Sequence, residues 1–142
     1  MKKGVLKKLV SAFALASLLV SFGVVCYANN CIDTPFNLSL QYSMGKPYDY
    51  TDLREKEDDT SSYINYQSGS YSFTACVVAG DDGIYCDDNA IRLVYKNVIP
   101  GNYYYLTNYV KEDGNHGMAA IRGESNYDLD YTARGVWSPD SI

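Results

Sequence analysis

The chain has 142 residues and a formal net charge of −5, with 12 Lys+Arg against 17 Asp+Glu. That length holds one ordinary domain, with or without a targeting segment. The acidic balance argues against a surface for nucleic acid or anionic membrane, whose phosphates would repel it.

The N-terminus has the three parts of a secretory signal. Lys2, Lys3, Lys7 and Lys8 make a basic start, Leu9 to Val25 is a mostly apolar run of 17 uncharged residues, and Cys26-Tyr27-Ala28 puts small residues at positions −3 and −1 of a cleavage after Ala28. Residues 1–28 are thus predicted to be a helical signal peptide, and residues 29–142 a single secreted β-rich domain. Two alternatives stay open. A retained anchor is one, although 17 residues is at the short edge for a span and Ser11, Ser17, Ser21 and Gly23 weaken it. A lipoprotein acylated at Cys26 is the other, although Val25 stands where a small residue is wanted. Cleavage would take Lys+Arg from 12 to 8 against 17 Asp+Glu, so the formal charge becomes −9.

After the signal, Pro35 to Ser43 alternates, with Phe36, Leu38, Leu40 and Tyr42 on one face of a half-buried strand. Met44-Gly45-Lys46-Pro47 breaks it, and residues 51–61 are charged and aperiodic, as in a long loop. Ser62 to Tyr66 reads as a short strand, and Ser70 to Val78 as a clearer one facing inward with Tyr71, Phe73, Ala75 and Val77. Ala79 to Gly83 has turn composition, Ile84 to Cys86 is a short extended piece, and Asp87-Asp88-Asn89 is a further break. Ala90 to Val98 alternates again, with Ile91, Leu93 and Tyr95 opposed to Arg92, Val94 and Lys96. Asn102 to Lys111 and Gly117 to Gly123 flank Glu112-Asp113-Gly114-Asn115, a hairpin signal. Tyr127 to Val136 is the last strand, facing one way with Leu129, Tyr131 and Ala133. No helical period is sustained after residue 28. The expected fold is all-β, a small antiparallel sandwich or barrel of about six to seven strands.

Fourteen of the 15 tyrosines follow the signal. Strand packing accounts for them most simply, and a tyrosine-rich face also suits sugars or protein partners.

Three cysteines remain after cleavage. Export makes a disulfide plausible, and Cys76 and Cys86 flank a turn, so two adjacent strands would pair them and leave Cys31 as a third thiol. Pairing of Cys31 with either stays open. His116 is the only histidine and falls in the expected hairpin turn; no elbow or cysteine-protease context accompanies it, so it reads as an exposed loop residue and no catalytic residue is assigned. Zinc would need clustered Cys or His ligands, and the disulfide would use two of the cysteines. Asp81, Asp82, Asp87 and Asp88 are weak calcium candidates on loops, without the terminal glutamate of the twelve-residue calcium loop. No metal or other cofactor is expected, and no pair of carboxylates stands out for glycoside hydrolysis.

The last third carries a resemblance. Asn108 to Gly114, the Ala119/Ile121 strand and the terminal Gly135-Val136-Trp137-Ser138-Pro139-Asp140-Ser141 resemble a family of small secreted Gram-positive bacterial proteins with a domain of unknown function and a GVWSPDS-like end. The resemblance implies export and a β-rich domain, and no established reaction. The chain is more weakly similar to lactococcin-972-like bacteriocins, from which its acidity and longer first half depart. Physically, Trp137 is expected to cover one end of the core, Pro139 to fix a turn, and Asp140 and Ser141 to bond local backbone; a terminal recognition tag is the alternative.

These readings point to a secreted bacterial protein, a non-enzymatic binding module for an extracellular or cell-envelope ligand, without nucleic acid or a stable membrane span after processing. A bacteriocin-like effector acting on a cell envelope, or a secreted hydrolase, is the alternative.

Overall fold

A computed structural model describes residues 30–141. The expected signal segment, its cleavage point and Cys26 lie outside these residues. Ten strands are described: β1 (Thr34–Leu40), β2 (Tyr48–Tyr50), β3 (Arg54–Glu55), β4 (Ser62–Ser68), β5 (Phe73–Asp81), β6 (Ile84–Tyr85), β7 (Lys96–Val98), β8 (Asn102–Leu106), β9 (Met118–Ser125) and β10 (Tyr131–Ser138). The all-β expectation holds. All strand pairs are antiparallel and fall into two sheets. The first runs β1-β10-β4-β8; the second runs β2-β9-β5-β6, with β3 also on β9 and β7 also on β5. Among the described residues no helix is long and apolar enough to cross a membrane.

The alternating residues of the sequence line the interior. Phe36, Leu38 and Leu40 from β1, Ile64 and Tyr66 from β4, and Ala133 and Trp137 from β10 meet Phe73, Ala75, Val77 and Ala79 from β5 and Ala119 and Ile121 from β9 in one core. Side chains two apart on a strand share a face, so each of these strands turns one face of its pleat to this core. At the bulge between Arg134 and Gly135, a Cβ on Gly135 would lie 2.0 Å from the Asn65 carbonyl oxygen, so only glycine lets β10 close on β4 there.

The second sheet is also covered on its outer side. Cys76, Val78 and Ala120 form a small cluster under Tyr50, Leu53 and Leu93. This explains why β5 is buried without a break from Ala75 through Gly80 rather than on one face alone.

Four local expectations fail. The strand expected at Ala90 to Val98 is regular only over Lys96–Val98, because Ile91 and Leu93 serve as cover for the sheet rather than as ladder residues. The loop expected at 51–61 contains β3, which pairs with β9. The turn after β5 comes later than expected: the strand runs to Asp81, and Asp82 (φ 49°) and Gly83 (φ 79°) make the reversal. The hairpin around Asp113-Gly114 does not form. β8 joins β4 in the first sheet and β9 joins β5 in the second, so residues 107–117 cross between sheets.

Candidate functional site

The late turn after β5 gathers three donor side chains. Register pairs Gly80 with Tyr85 and Asp81 with Ile84, and the Cys86 amide donates to the Ala79 carbonyl at 3.0 Å. Asp81 and Cys86 therefore sit on opposite arms of one tight hairpin, on the same face. Beside it, β9 pairs Met118 with Gly80, which brings the residues before β9 to the end of β5. The Gly117 amide donates to Asp81 Oδ1 at 3.0 Å, and His116 Nδ1 lies 2.6 Å from Asp81 Oδ2. Cys86 Sγ lies 3.6 Å from the same carboxylate oxygen and 3.8 Å from the same ring nitrogen.

The loop holds the ring in place. The His116 amide donates to the Val110 carbonyl, Asn115 takes a positive φ of 51°, and a Cβ on Gly114 would come within 2.6 Å of His116 Nε2. A glycine at 114 is what lets the imidazole lie back against the loop. The His116 side chain is 16% exposed and the Asp81 side chain 52%, so the cluster is anchored from the protein side and open on the carboxylate side. His116 and the Gly117 amide hold the Asp81 carboxyl below its usual range. Burial, then the neighbouring Asp81 charge, push the Cys86 thiol up.

A nucleophile–base–orienter relay places the nucleophile and the carboxylate on opposite ring nitrogens. Here both converge on Nδ1, so the three groups do not form that relay; they point their donor atoms at one place instead.

The thiols correct the disulfide expectation. No bond joins Cys76 to Cys86. Cys86 is opposite Ala79, whereas Cys76 is three residues back along β5, roughly 10 Å away along the strand and on its other face. Cys76 is 1% exposed, and burial pushes its thiol up to about 11. Cys31 stands near the start of the described chain, half-buried.

The four aspartates named as calcium candidates are dispersed. Asp81 engages His116, Asp82 occupies the turn, Asp87 accepts from the Asn89 amide at 2.8 Å, and Asp88 pairs with Arg122 at 2.6 Å. They make no shared oxygen cage. His116, read as a bystander, is instead central. Its signal was not local, because its partners lie 30 and 35 residues away.

The terminal motif is interior. Trp137 is 1% exposed and Arg54 lies over its ring at 5.5 Å, which removes the recognition-tag reading. Asp140 does not serve local backbone as expected. Fully buried, it accepts from Lys56 Nζ at 2.5 Å, from the Asn30 amide at 2.9 Å and from the Glu57 amide at 3.1 Å. The Ser62 hydroxyl donates to the Pro139 carbonyl, and the Ser141 amide to the Thr60 hydroxyl.

A second surface feature lies on the outer side of the first sheet. Tyr63 pairs with Tyr105 across β4 and β8, and Asn65 with Tyr103. The three rings group with centroids 5.7 Å (Tyr63–Tyr105), 6.1 Å (Tyr63–Tyr103) and 6.3 Å (Tyr103–Tyr105) apart. Tyr103 and Tyr105 are 64% and 57% exposed. A hollow of about 340 Å³ adjoins them, walled by Tyr63, Tyr105, Asp33, Cys31 and the terminal residues.

No curated protein and no solved structure matches the chain. A family model does match, over residues 24–141, and on that extent the chain belongs to the family described as Protein of unknown function (DUF2712).

Proposed function

We propose that the chain is an exported binding module, not an enzyme, which holds an extracellular or cell-envelope polysaccharide on the tyrosine face of its first sheet. The observation that carries this reading is the grouping of Tyr63, Tyr103 and Tyr105 on an outer sheet face beside a hollow whose wall also includes Asp33, Ser138 and Asp140. Cross-strand packing accounts for the rings touching each other. It gives no reason for two of them to stay more than half exposed at a sheet edge. Flat rings with hydroxyl tips suit sugars, which offer an apolar ring face and many hydrogen-bonding groups. Export rests on the basic, apolar and small-residue parts of residues 1–28, and intact mass of protein from the culture medium tests it: a chain beginning at Asn29 is expected.

Sedimentation with purified peptidoglycan and with neutral insoluble glycans tests binding. The chain is expected to co-sediment with at least one of them, and the double variant Tyr103→Ala/Tyr105→Ala to remain in the supernatant. Equal behaviour of variant and parent would overturn the reading. Growth inhibition by the purified protein, with no glycan bound, would favour the bacteriocin-like effector instead.

A further inference from the structure

We propose that Asp81, Cys86 and His116 form a site for one borderline-soft divalent metal ion of the zinc class. The inference is independent of the tyrosine face.

The geometry comes first. Zinc binds tetrahedrally, with about 2.3 Å to sulfur and about 2.0–2.2 Å to nitrogen or oxygen, which sets donor–donor distances of roughly 3.3–3.6 Å. Cys86 Sγ is 3.6 Å from Asp81 Oδ2 and 3.8 Å from His116 Nδ1, already close to that spacing. Only the Asp81–His116 pair is closer, at 2.6 Å, because a proton joins them. An ion would replace that proton, and the two atoms would separate by about 0.7 Å to reach the tetrahedral edge. Asp81 has the room to give way: its side chain is half exposed and can turn about the Gly117 hydrogen bond on its other oxygen, while the ring is held by its loop.

The donor set comes next. Thiolate with imidazole selects zinc-like ions over calcium or magnesium, which prefer all-oxygen cages. Binding releases the Cys86 thiol proton to solvent and leaves His116 Nδ1 without a proton, the neutral ring keeping its single proton on Nε2, so that the ion meets thiolate, neutral imidazole and carboxylate. Their two negative charges balance the ion. Three protein donors leave the fourth tetrahedral position to water or to an outside ligand, and the open carboxylate side is where that position falls.

The support around the donors is of the kind metal sites have. The Gly117 amide fixes the free oxygen of Asp81 at 3.0 Å, and the missing Cβ of Gly114 fixes the ring. Two donors sit on the arms of a two-residue hairpin, whose conformation the positive φ of Asp82 and Gly83 specifies. None of this is needed for a salt link alone, which would not require a sulfur on the same nitrogen and the same oxygen.

The test uses the full chain, without an affinity tag and kept reduced by a non-thiol reductant. Titration with Co²⁺ is expected to give a thiolate-to-cobalt charge-transfer absorption that saturates at one ion per chain and is quenched by Zn²⁺. Cys86→Ser is expected to abolish it, His116→Gln to weaken Zn²⁺ binding more than about tenfold in competition with a chromophoric chelator, and Cys76→Ser to change neither. Zn²⁺ is also expected to raise the melting temperature of the parent and not that of His116→Gln. The proposal is overturned if the folded parent shows no thiolate–cobalt band, or if the band survives in Cys86→Ser. Should Cys86→Ser fail to fold, unchanged Zn²⁺ affinity in folded His116→Gln overturns it equally.

Discussion

Two aspartates near opposite limits of exposure hold this fold together in different ways. Asp140 and its partner Lys56 are both fully buried, and both oxygens of the carboxylate are used: Lys56 Nζ on one, the Asn30 and Glu57 amides on the other. Lys56 Nζ in turn donates to the Thr60 carbonyl at 2.7 Å. Asp81 and His116 are also hydrogen-bonded across a long stretch of chain, but the carboxylate faces water and a sulfur lies within reach of both. The sealed pair ties the C-terminal residues to the 56–60 loop, with donors already on both carboxylate oxygens. The open cluster ties a hairpin to a loop and leaves a coordination position free. Saturation marks the first as structural, and vacancy of geometry marks the second as a place for chemistry.

The comparison breaks most readily at the sealed end. Asp140→Ala leaves the buried Lys56 ammonium with only the more distant Asp58 carboxylate, 3.5 Å away, and two amides without acceptors, so a loss of about 3–5 kcal/mol is expected, read by urea denaturation. Asp81→Asn keeps an acceptor for Gly117 on an exposed side chain, and its midpoint is expected to stay close to the parent in the absence of metal. If the two variants lose equal stability, the distinction between them fails.

Trp137→Ala is expected to follow, at about 3–5 kcal/mol, as a cavity in a packed interior. The Trp137 ring sits against Arg54, whose guanidinium donates to the Thr34 hydroxyl at 3.0 Å and to the Trp137 carbonyl at 3.1 Å, so the void also loosens the start of β1. A normal melting curve for this variant would refute the interior role of the terminal motif.

What the sequence showed in advance follows the same division. β1, β4 and β10 were legible because each buries one face and exposes the other, so period-two alternation survives in the residues. β5 was legible in outline and wrong at its end, because both of its faces are covered and the apolar run gives no edge. Ile91 and Leu93 alternate as in a strand, yet they are spent on covering a sheet. Asp113-Gly114 has hairpin chemistry, but strand partnership is a long-range decision, and β4 and β5 win β8 and β9 separately. The candidate site was illegible for the same reason. Asp81, Cys86 and His116 each look like loop residues; the β5–β6 hairpin joins the first two, and only the pairing of Gly80 with Met118 brings His116 to them.

Cys76 is sealed beneath Tyr50, Leu53 and Leu93, and its folded-state value is about 11, against about 8.5–9 for an unfolded cysteine. Below that lower value both states carry the proton and stability does not change with pH on this account. As pH rises from there, the unfolded chain gives up its proton while the folded chain keeps it, so stability falls until the pH passes the folded value. The full loss is roughly 2–3 kcal/mol. Several tyrosines titrate in the same window, so the measurement is the difference between the parent and Cys76→Ala, whose curve is expected to be flatter by that amount. Alkylation is expected to modify Cys86 in the folded protein and Cys76 only after unfolding; equal rates would show that the outer cover of the second sheet is not closed.

The smallest effect on stability is expected at the tyrosine face, and there the smallness is the point. Tyr103 is an exposed residue of the edge strand β8, touching Tyr63 and Tyr105 on one side and solvent on the other. Loss of its ring removes one partial cross-strand contact, with Tyr63, one along its own strand, with Tyr105, and little buried volume, so Tyr103→Ala is expected to change stability by no more than about 0.5–1 kcal/mol. A glycan held on that face would lose most of its stacking surface at the same time. The variant thus separates two accounts of why so many tyrosines are present. If they serve the sheet, stability and glycan retention fall together; if they serve a ligand, the melting curve stays and retention goes. A loss of several kcal/mol would place Tyr103 with Trp137 among residues that hold the sandwich, and the exposed rings would then carry no argument for recognition.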